Sequence, residues 1–124
     1  MSQTSLLTLD RYLIATDRAV ADKAALPELL DLFDPDAVVQ LDGTPIRGAA
    51  AIRELYQGFI TFHTAIKHYW NSRVLPDGRE TMDWVCAART IDGAVITVAG
   101  IEHATLGPDG RMVELHNTFT RRAG

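Results

Sequence analysis

The sequence predicts an α+β domain, with three helices packed on one face of a curved, mainly antiparallel sheet. Three observations carry that expectation. Apolar residues in the first half recur at helical spacing. The last half switches to strand-length runs of period two. Those runs are joined by Asp-Gly turns. A twisted sheet curling around helices leaves a conical cavity between the two layers, and function is expected there.

From Ser5 to about Ala25, Leu6, Leu9, Leu13, Thr16 and Val20 fall near one stripe, which predicts the first helix. A second, short helix follows from Pro27 to Phe33, with Pro27 at a first helical position, where its missing N–H costs nothing. The sequence DPDA ends it, AVVQL reads as a short strand, and Asp42-Gly43 with Thr44-Pro45 reads as a turn. The third helix is expected from Gly48 to about Phe62, with Ile52, Leu55, Tyr56 and Phe59 on one side, and His63 as a loop residue after it. Four strand-like runs remain, at about 64–75, 79–91, 94–106 and 111–121, connected by PDG, DG and GPDG.

Composition excludes several function classes. A chain of 124 residues is large enough for one core and too small for two, so a single domain spanning 1–124 is expected. The net charge is −4 and the basic residues are scattered, which argues against a nucleic-acid partner. No apolar run approaches a membrane span, and the N-terminus lacks the pattern of a signal peptide. With Cys86 as its single cysteine, the chain is expected in the cytoplasm with no internal disulfide. No phosphate-cradling glycine motif and no G-x-S-x-G occurs, so neither a nucleotide cofactor nor serine hydrolysis is expected. No metal site is expected either, because alternation sends His68 and Glu102 inward but His103 and His116 outward.

The candidate site follows from strand alternation. Lys67 and Arg73 must face water, which turns His68, Trp70 and Ser72 inward. Leu115 and Phe119 mark the buried face of the last run, and Asn117 lies between them. Trp84, Cys86 and Ala88 share the inner face of the second run, with Cys86 acting as a small apolar residue. Glu102 shares its face with Gly100 and Ala104, whose small size leaves room for a ligand. Burying an amide such as Asn117 without a partner costs about 1–3 kcal/mol, so a purpose is expected. His68, Glu102 and Asn117 are therefore expected to line one cavity. Its walls would be Tyr12, Leu41, Tyr56, Phe59, Trp70, Trp84, Leu115 and Phe119, and its occupant a small hydrophobic molecule. The opposite sheet face carries Tyr69, Val85, Ala87, Val95 and Ile101, so a homodimer is expected through it.

The segment ALPELLDLFDPDAVVQLDGTPIRGAAAIRELY, followed by VAGIEHATLGPDGRMVELHNTF, resembles Δ5-3-ketosteroid isomerase. More broadly it resembles the nuclear transport factor 2-like superfamily, which includes SnoaL-like polyketide cyclases, limonene epoxide hydrolase and scytalone dehydratase. The resemblance runs from about Arg11 to Arg121 and rests on LF-x-x-DA, G-x-x-AI-x-x-x-Y and DG-[RK] before the last strand. It implies a cystatin-like α+β cone. It also implies a cofactor-free isomerase, or a lyase of the dehydratase type, or a cyclase, acting by proton transfer on a polycyclic or terpenoid-like carbonyl compound.

Glu102 takes the place of the isomerase's hydrogen-bond-donating aspartic acid. The base position falls at Leu41, or at Asp42 if the register slips by one. The tyrosine position falls on Asp17 without a gap, or on Tyr12 with an insertion, and Tyr56 matches a pocket-facing tyrosine. Tyr12 and Asp17 also repeat a five-residue spacing of the scytalone dehydratase and SnoaL-like groups, some of which place a histidine where His68 stands. Asp17 would then orient His68, either of the two serving as general base, while Glu102 and Asn117 stabilise an oxyanion. The alternative is a protein that binds such a ligand without turning it over.

Overall fold

The four period-two runs form the strands they predict. In the computed structural model, which describes residues 5–123, the helical half comprises α1 (Thr8–Ala21), a 3-10 turn (Lys23–Ala25), α2 (Leu26–Leu30) and α3 (Ala49–Phe62). Between α2 and α3 lie β1 (Phe33–Leu41) and β2 (Thr44–Arg47). After α3 come β3 (His63–Val74), β4 (Glu80–Thr90), β5 (Val95–Leu106) and β6 (Met112–Ala123). The six strands form one curved sheet in the order β2-β1-β6-β5-β4-β3, antiparallel except where β1 runs parallel to β6. Along β4 the alternation is regular: Met82, Trp84, Cys86, Ala88 and Thr90 are buried, while Asp83, Val85, Ala87 and Arg89 are exposed. The core under the helices is built from Leu9, Leu13, Leu29, Ile52, Met82, Met112 and Leu115. Among the described residues no helix is long and apolar enough to cross a membrane.

The helical half departs from the sequence reading at its joints. The first helix starts at Thr8 and stops at Ala21, so Leu6 is left 52% exposed instead of joining the apolar stripe. Asp22 is extended, and its side chain accepts from the N–H of Ala24 to start the 3-10 turn. The second helix ends at Leu30, and Phe33 already belongs to β1, paired with Met112. DPDA is a bulge inside that strand. The pairing jumps from Phe33↔Met112 to Val38↔Glu114, and Asp34 accepts from the N–H of Asp36 across the kink. Asp42 and Gly43, at φ 50 and 87, make a two-residue hairpin turn, so Thr44 and Pro45 begin β2.

Helix α1 is fixed to the sheet by carboxylates at its N-terminal end. Its first turn has backbone N–H groups without helical partners. Glu80, buried at the start of β4, accepts from Leu9 N at 2.9 Å and Thr8 N at 3.3 Å. Asp10 accepts from Leu7 N at 2.7 Å, and its other oxygen accepts from Trp70 Nε1 at 2.8 Å and Ser72 Oγ at 2.5 Å. These bonds lay α1 across β3 and leave a cavity between α1, α3 and the concave sheet face.

Candidate active site

Strand register sets the levels of the cavity. Along β4, Met82 stands opposite Glu102, Trp84 opposite Gly100, and Cys86 opposite His68 and Val98. Glu102 in turn faces Asn117 on β6. The cavity has a volume of about 250 Å³. His68, Glu102 and Asn117 all line it, together with Tyr12, Tyr56, Phe59, Trp84, Leu41 and Phe119. Two expected wall residues do not. Trp70 sits further along β3, with its indole N–H bonded to Asp10, and Leu115 is sealed in the core. Both follow the predicted alternation, but the inner face of a strand longer than the cavity extends past its ends.

His68 is buried, and its Nδ1 lies 2.6 Å from Asp17 Oδ1. The second Asp17 oxygen accepts from the backbone N–H of His68 at 3.1 Å, so the carboxylate grips both ring and strand. Asp17 stands behind the imidazole and does not line the cavity itself. A carboxylate only accepts, so Nδ1 carries the proton and Nε2 is the basic nitrogen. The ring of Trp84 packs against His68 at 5.6 Å between centroids. Tyr12, five residues earlier on α1, points into the cavity, so the two residues serve different faces of one helix.

At the buried end, the side chain of Glu102 is 2% exposed and its Oε2 has no hydrogen-bond partner. Burial pushes its carboxyl up to about 8, so it is mostly protonated at neutral pH. The hydroxyls of Tyr12 and Tyr56 are bonded at 2.8 Å. Burial, then the neighbouring Tyr56 and Glu102, hold the Tyr12 phenol well above its usual range. Burial likewise raises Tyr56. Asn117 Oδ1 accepts from Trp84 Nε1 at 3.2 Å, which fixes the amide and leaves its N–H groups as donors for a ligand. Gly100 does not leave room for a ligand. A Cβ there would come within 2.7 Å of Trp84 Cζ2 and 2.8 Å of Thr118 O, so the indole occupies that space. Burial pushes the Cys86 thiol up to about 11, which keeps it a neutral part of the wall.

Leu41 is at the cavity, but Asp42 lies outside it in the hairpin turn, accepting from Phe119 N at 3.0 Å. The sequence reading missed His63, which it placed in a loop. His63 opens β3 and lines the cavity. The pairing shifts by one residue between His63↔Thr90 and Ala65↔Arg89, and this bulge turns His63 inward and Thr64 out. Nothing in the string Phe62-His63-Thr64-Ala65 announces such a bulge.

Residues 15–115 match the SnoaL-like domain. No curated protein sequence matches the chain. The fold superposes on an NTF2-like protein of unknown function from Exiguobacterium sp. 255-15 with a TM-score of 0.83 and 29% identity, over 90% of this chain and 97% of that one. It also superposes on SalBIII, an epoxide hydrolase/cyclase-like enzyme in pyran ring formation in the polyether salinomycin. There the TM-score is 0.78 and the identity 15%, over 94% and 92% of the two chains. A third match is RV0760c from Mycobacterium tuberculosis in complex with estradiol-17beta-hemisuccinate, with a TM-score of 0.69 and 16% identity, over 86% and 92%. The last two likenesses are of fold alone.

Proposed function

The chain belongs to the SnoaL-like family of the nuclear transport factor 2-like superfamily, and we propose that it is a cofactor-free proton-transfer enzyme acting on a small hydrophobic carbonyl compound. The observation that carries this reading is the Asp17–His68 pair at 2.6 Å, with the imidazole on an apolar cavity that also holds Glu102. His68 Nε2 takes a proton from the carbon beside the carbonyl. The C–H electron pair forms a carbon–carbon double bond, and the carbonyl π pair moves onto oxygen. The O–H of protonated Glu102 and the N–H of Asn117 donate to that oxygen as its charge develops. Return of the proton to another carbon gives isomerisation, loss of a β-hydroxyl as water gives dehydration, and attack on a second carbonyl gives cyclisation. The cavity volume of about 250 Å³ favours the smaller members of the polycyclic and terpenoid-like class.

One observation favours the alternative of a binding protein. The base position of the isomerases holds Leu41, and the neighbouring Asp42 lies outside the cavity. The two readings separate in heavy water with an enolisable ketone such as 4-phenylcyclohexanone. The enzyme exchanges the protons beside the carbonyl for deuterium. His68→Gln slows that exchange by about 10²–10⁴-fold while the affinity for the ketone holds. Equal loss of rate and affinity means that His68 only shapes the pocket, and exchange no faster than in buffer makes the protein a binder.

The same reading has the chain pair with a second copy through its convex sheet face. Tyr69 at 66% and Val95 at 59% exposure lie there with Val85, on the side the helices leave bare. A monomeric mass in sedimentation at micromolar concentration contradicts it. The free, buried Cys86 suits the reducing cytoplasm.

A further inference from the structure

His63 holds the half-buried end of the cavity, remote from Glu102. The levels along β4 run from Met82, opposite Glu102, through Cys86, opposite His68, to Thr90, opposite His63. His68 therefore stands between the other two. Burial falls in the same direction. Glu102, Tyr12 and Tyr56 are buried, whereas His63 and Phe59 are half-buried and Phe62 is exposed, so His63 lies at the mouth.

The imidazole of His63 is held on two sides. It packs on Phe59 at 4.3 Å between centroids and edge-on against Phe62 at 4.9 Å. Its Nδ1 lies 2.8 Å from the carbonyl oxygen of Phe59 in the last turn of α3. A carbonyl can only accept, so Nδ1 carries the proton, and in the neutral ring Nε2 is left as an acceptor on the opposite edge. The bulge after His63 turns this ring inward, a common use of bulges beside ligand sites.

We propose that His63 is a specificity-determining residue that accepts a hydrogen bond from a hydroxyl group on the ligand, at the end opposite the reacting carbonyl. The substrate class narrows to elongated hydroxy-ketones, with the carbonyl at Glu102, the exchanging carbon at His68 and the hydroxyl at His63. This deepens the proton-transfer reading and rests on it for the carbonyl end alone.

The test uses the matched ketones 4-phenylcyclohexanone and 4-(4-hydroxyphenyl)cyclohexanone, with affinities measured by calorimetry. Wild type should hold the hydroxylated ketone about five- to tenfold more tightly, the worth of one half-exposed hydrogen bond. An asparagine amide reaches the place of Nδ1 and keeps the bond to Phe59, whereas a glutamine amide reaches the place of Nε2. His63→Asn should therefore abolish the preference, bringing the two ketones to equal affinity, while circular dichroism reports that the variant has folded. His63→Gln should restore the preference. Equal affinity for the two ketones in wild type, a preference that survives His63→Asn, or no binding of the hydroxylated ketone overturns the proposal. Glu102→Leu tests the other end separately. If it leaves both affinities unchanged while His63→Asn erases the gap, His63 reads the hydroxyl but the carbonyl does not sit at Glu102.

Discussion

Asp10 and Glu102 are both carboxyl groups that folding draws towards the interior, and they reach opposite states. Asp10 lies where α1 crosses β3. Burial there tends to raise its pKa, but bonds from Ser72, Trp70 and the Leu7 N–H outweigh it and hold the group below its ordinary value. Glu102 lies across the cavity wall, where burial acts with no donor to oppose it on Oε2, and its pKa rises to about 8. Depth and donor supply act together: Asp10 is half-buried and bonded by three donors, whereas Glu102 is buried with none on Oε2. At the seam the chain satisfies its carboxylates to fasten a helix, and Glu80 with its two backbone N–H groups does the same. At the cavity it withholds donors, leaving a neutral acid able to donate to a ligand. Asp17 stands between these cases, bonded to a ring whose other nitrogen remains basic.

The largest expected effect is an opposite response of the two regions to pH. Folded Glu102 keeps a proton that the unfolded chain releases above the ordinary value of 4.5. Its contribution to stability is therefore complete below 4.5 and is lost as pH rises through about 8. The loss is on the order of a few kcal/mol. Glu102→Gln should remove this slope, so that wild type falls relative to the variant between about pH 5 and about pH 8 in urea midpoints. Asp10 has the reverse sign. Its lowered pKa contributes stability above the ordinary 3.8, lost as pH falls through the lower folded value. Parallel slopes for the Glu102→Gln and Asp10→Asn comparisons would show that donor supply does not distinguish the two regions.

Asparagine at the two α1 aspartates sharpens the same contrast at smaller magnitude. Asp17→Asn should slow deuterium exchange into a bound ketone, as expected when the group that orients an imidazole general base loses its charge. The melting temperature should fall less than in Asp10→Asn, because two donors and not three lose a charged acceptor. Asp10→Asn should instead cost about 1–3 kcal/mol of stability, because three donors lose a charged acceptor, while exchange per folded molecule is preserved. If both variants lose rate equally, the two stations act as one unit and the division fails.

How much of this was legible in the sequence depends on the kind of regularity involved. Alternation placed His68, Glu102, Asn117, Trp84 and Phe119 on one wall because β3, β4, β5 and β6 keep their period through the cavity. The pairing of Asp17 with His68 was available from spacing and resemblance, although residue 68 follows residue 17 by 51 positions. What escaped were places where the period breaks or the partner is remote. His63 faces inward only because of the bulge at Thr64, and β2 exists because Val38–Leu41 offers a free strand edge. Glu80 shows no local signal, since its donors come from the start of α1, and of the three donors to Asp10 only Leu7 N is local, the other two coming from β3. Trp70 follows the alternation of β3, but its indole N–H needs an acceptor, and Asp10 draws it out of the cavity wall.

Ser72→Ala is the smallest change that still tests the division. Ser72 Oγ and Trp70 Nε1 donate to the same oxygen, Oδ1 of Asp10. Removing the hydroxyl leaves that oxygen bonded to the indole, so no buried acceptor is orphaned, and the cost should be about 0.5–1.5 kcal/mol, one ordinary hydrogen bond. Trp70→Phe alone should likewise be tolerated, because the serine still serves Oδ1. Together the two changes strip the oxygen of both donors, and the double variant should lose more than the sum of the single losses. Deuterium exchange per folded molecule should be unchanged in all three, since none touches the Asp17–His68 pair. Strict additivity would mean that the two donors act independently. A loss of exchange in Ser72→Ala comparable to that of Asp17→Asn would mean instead that the Asp10 station tunes the cavity as well as fastening the helix.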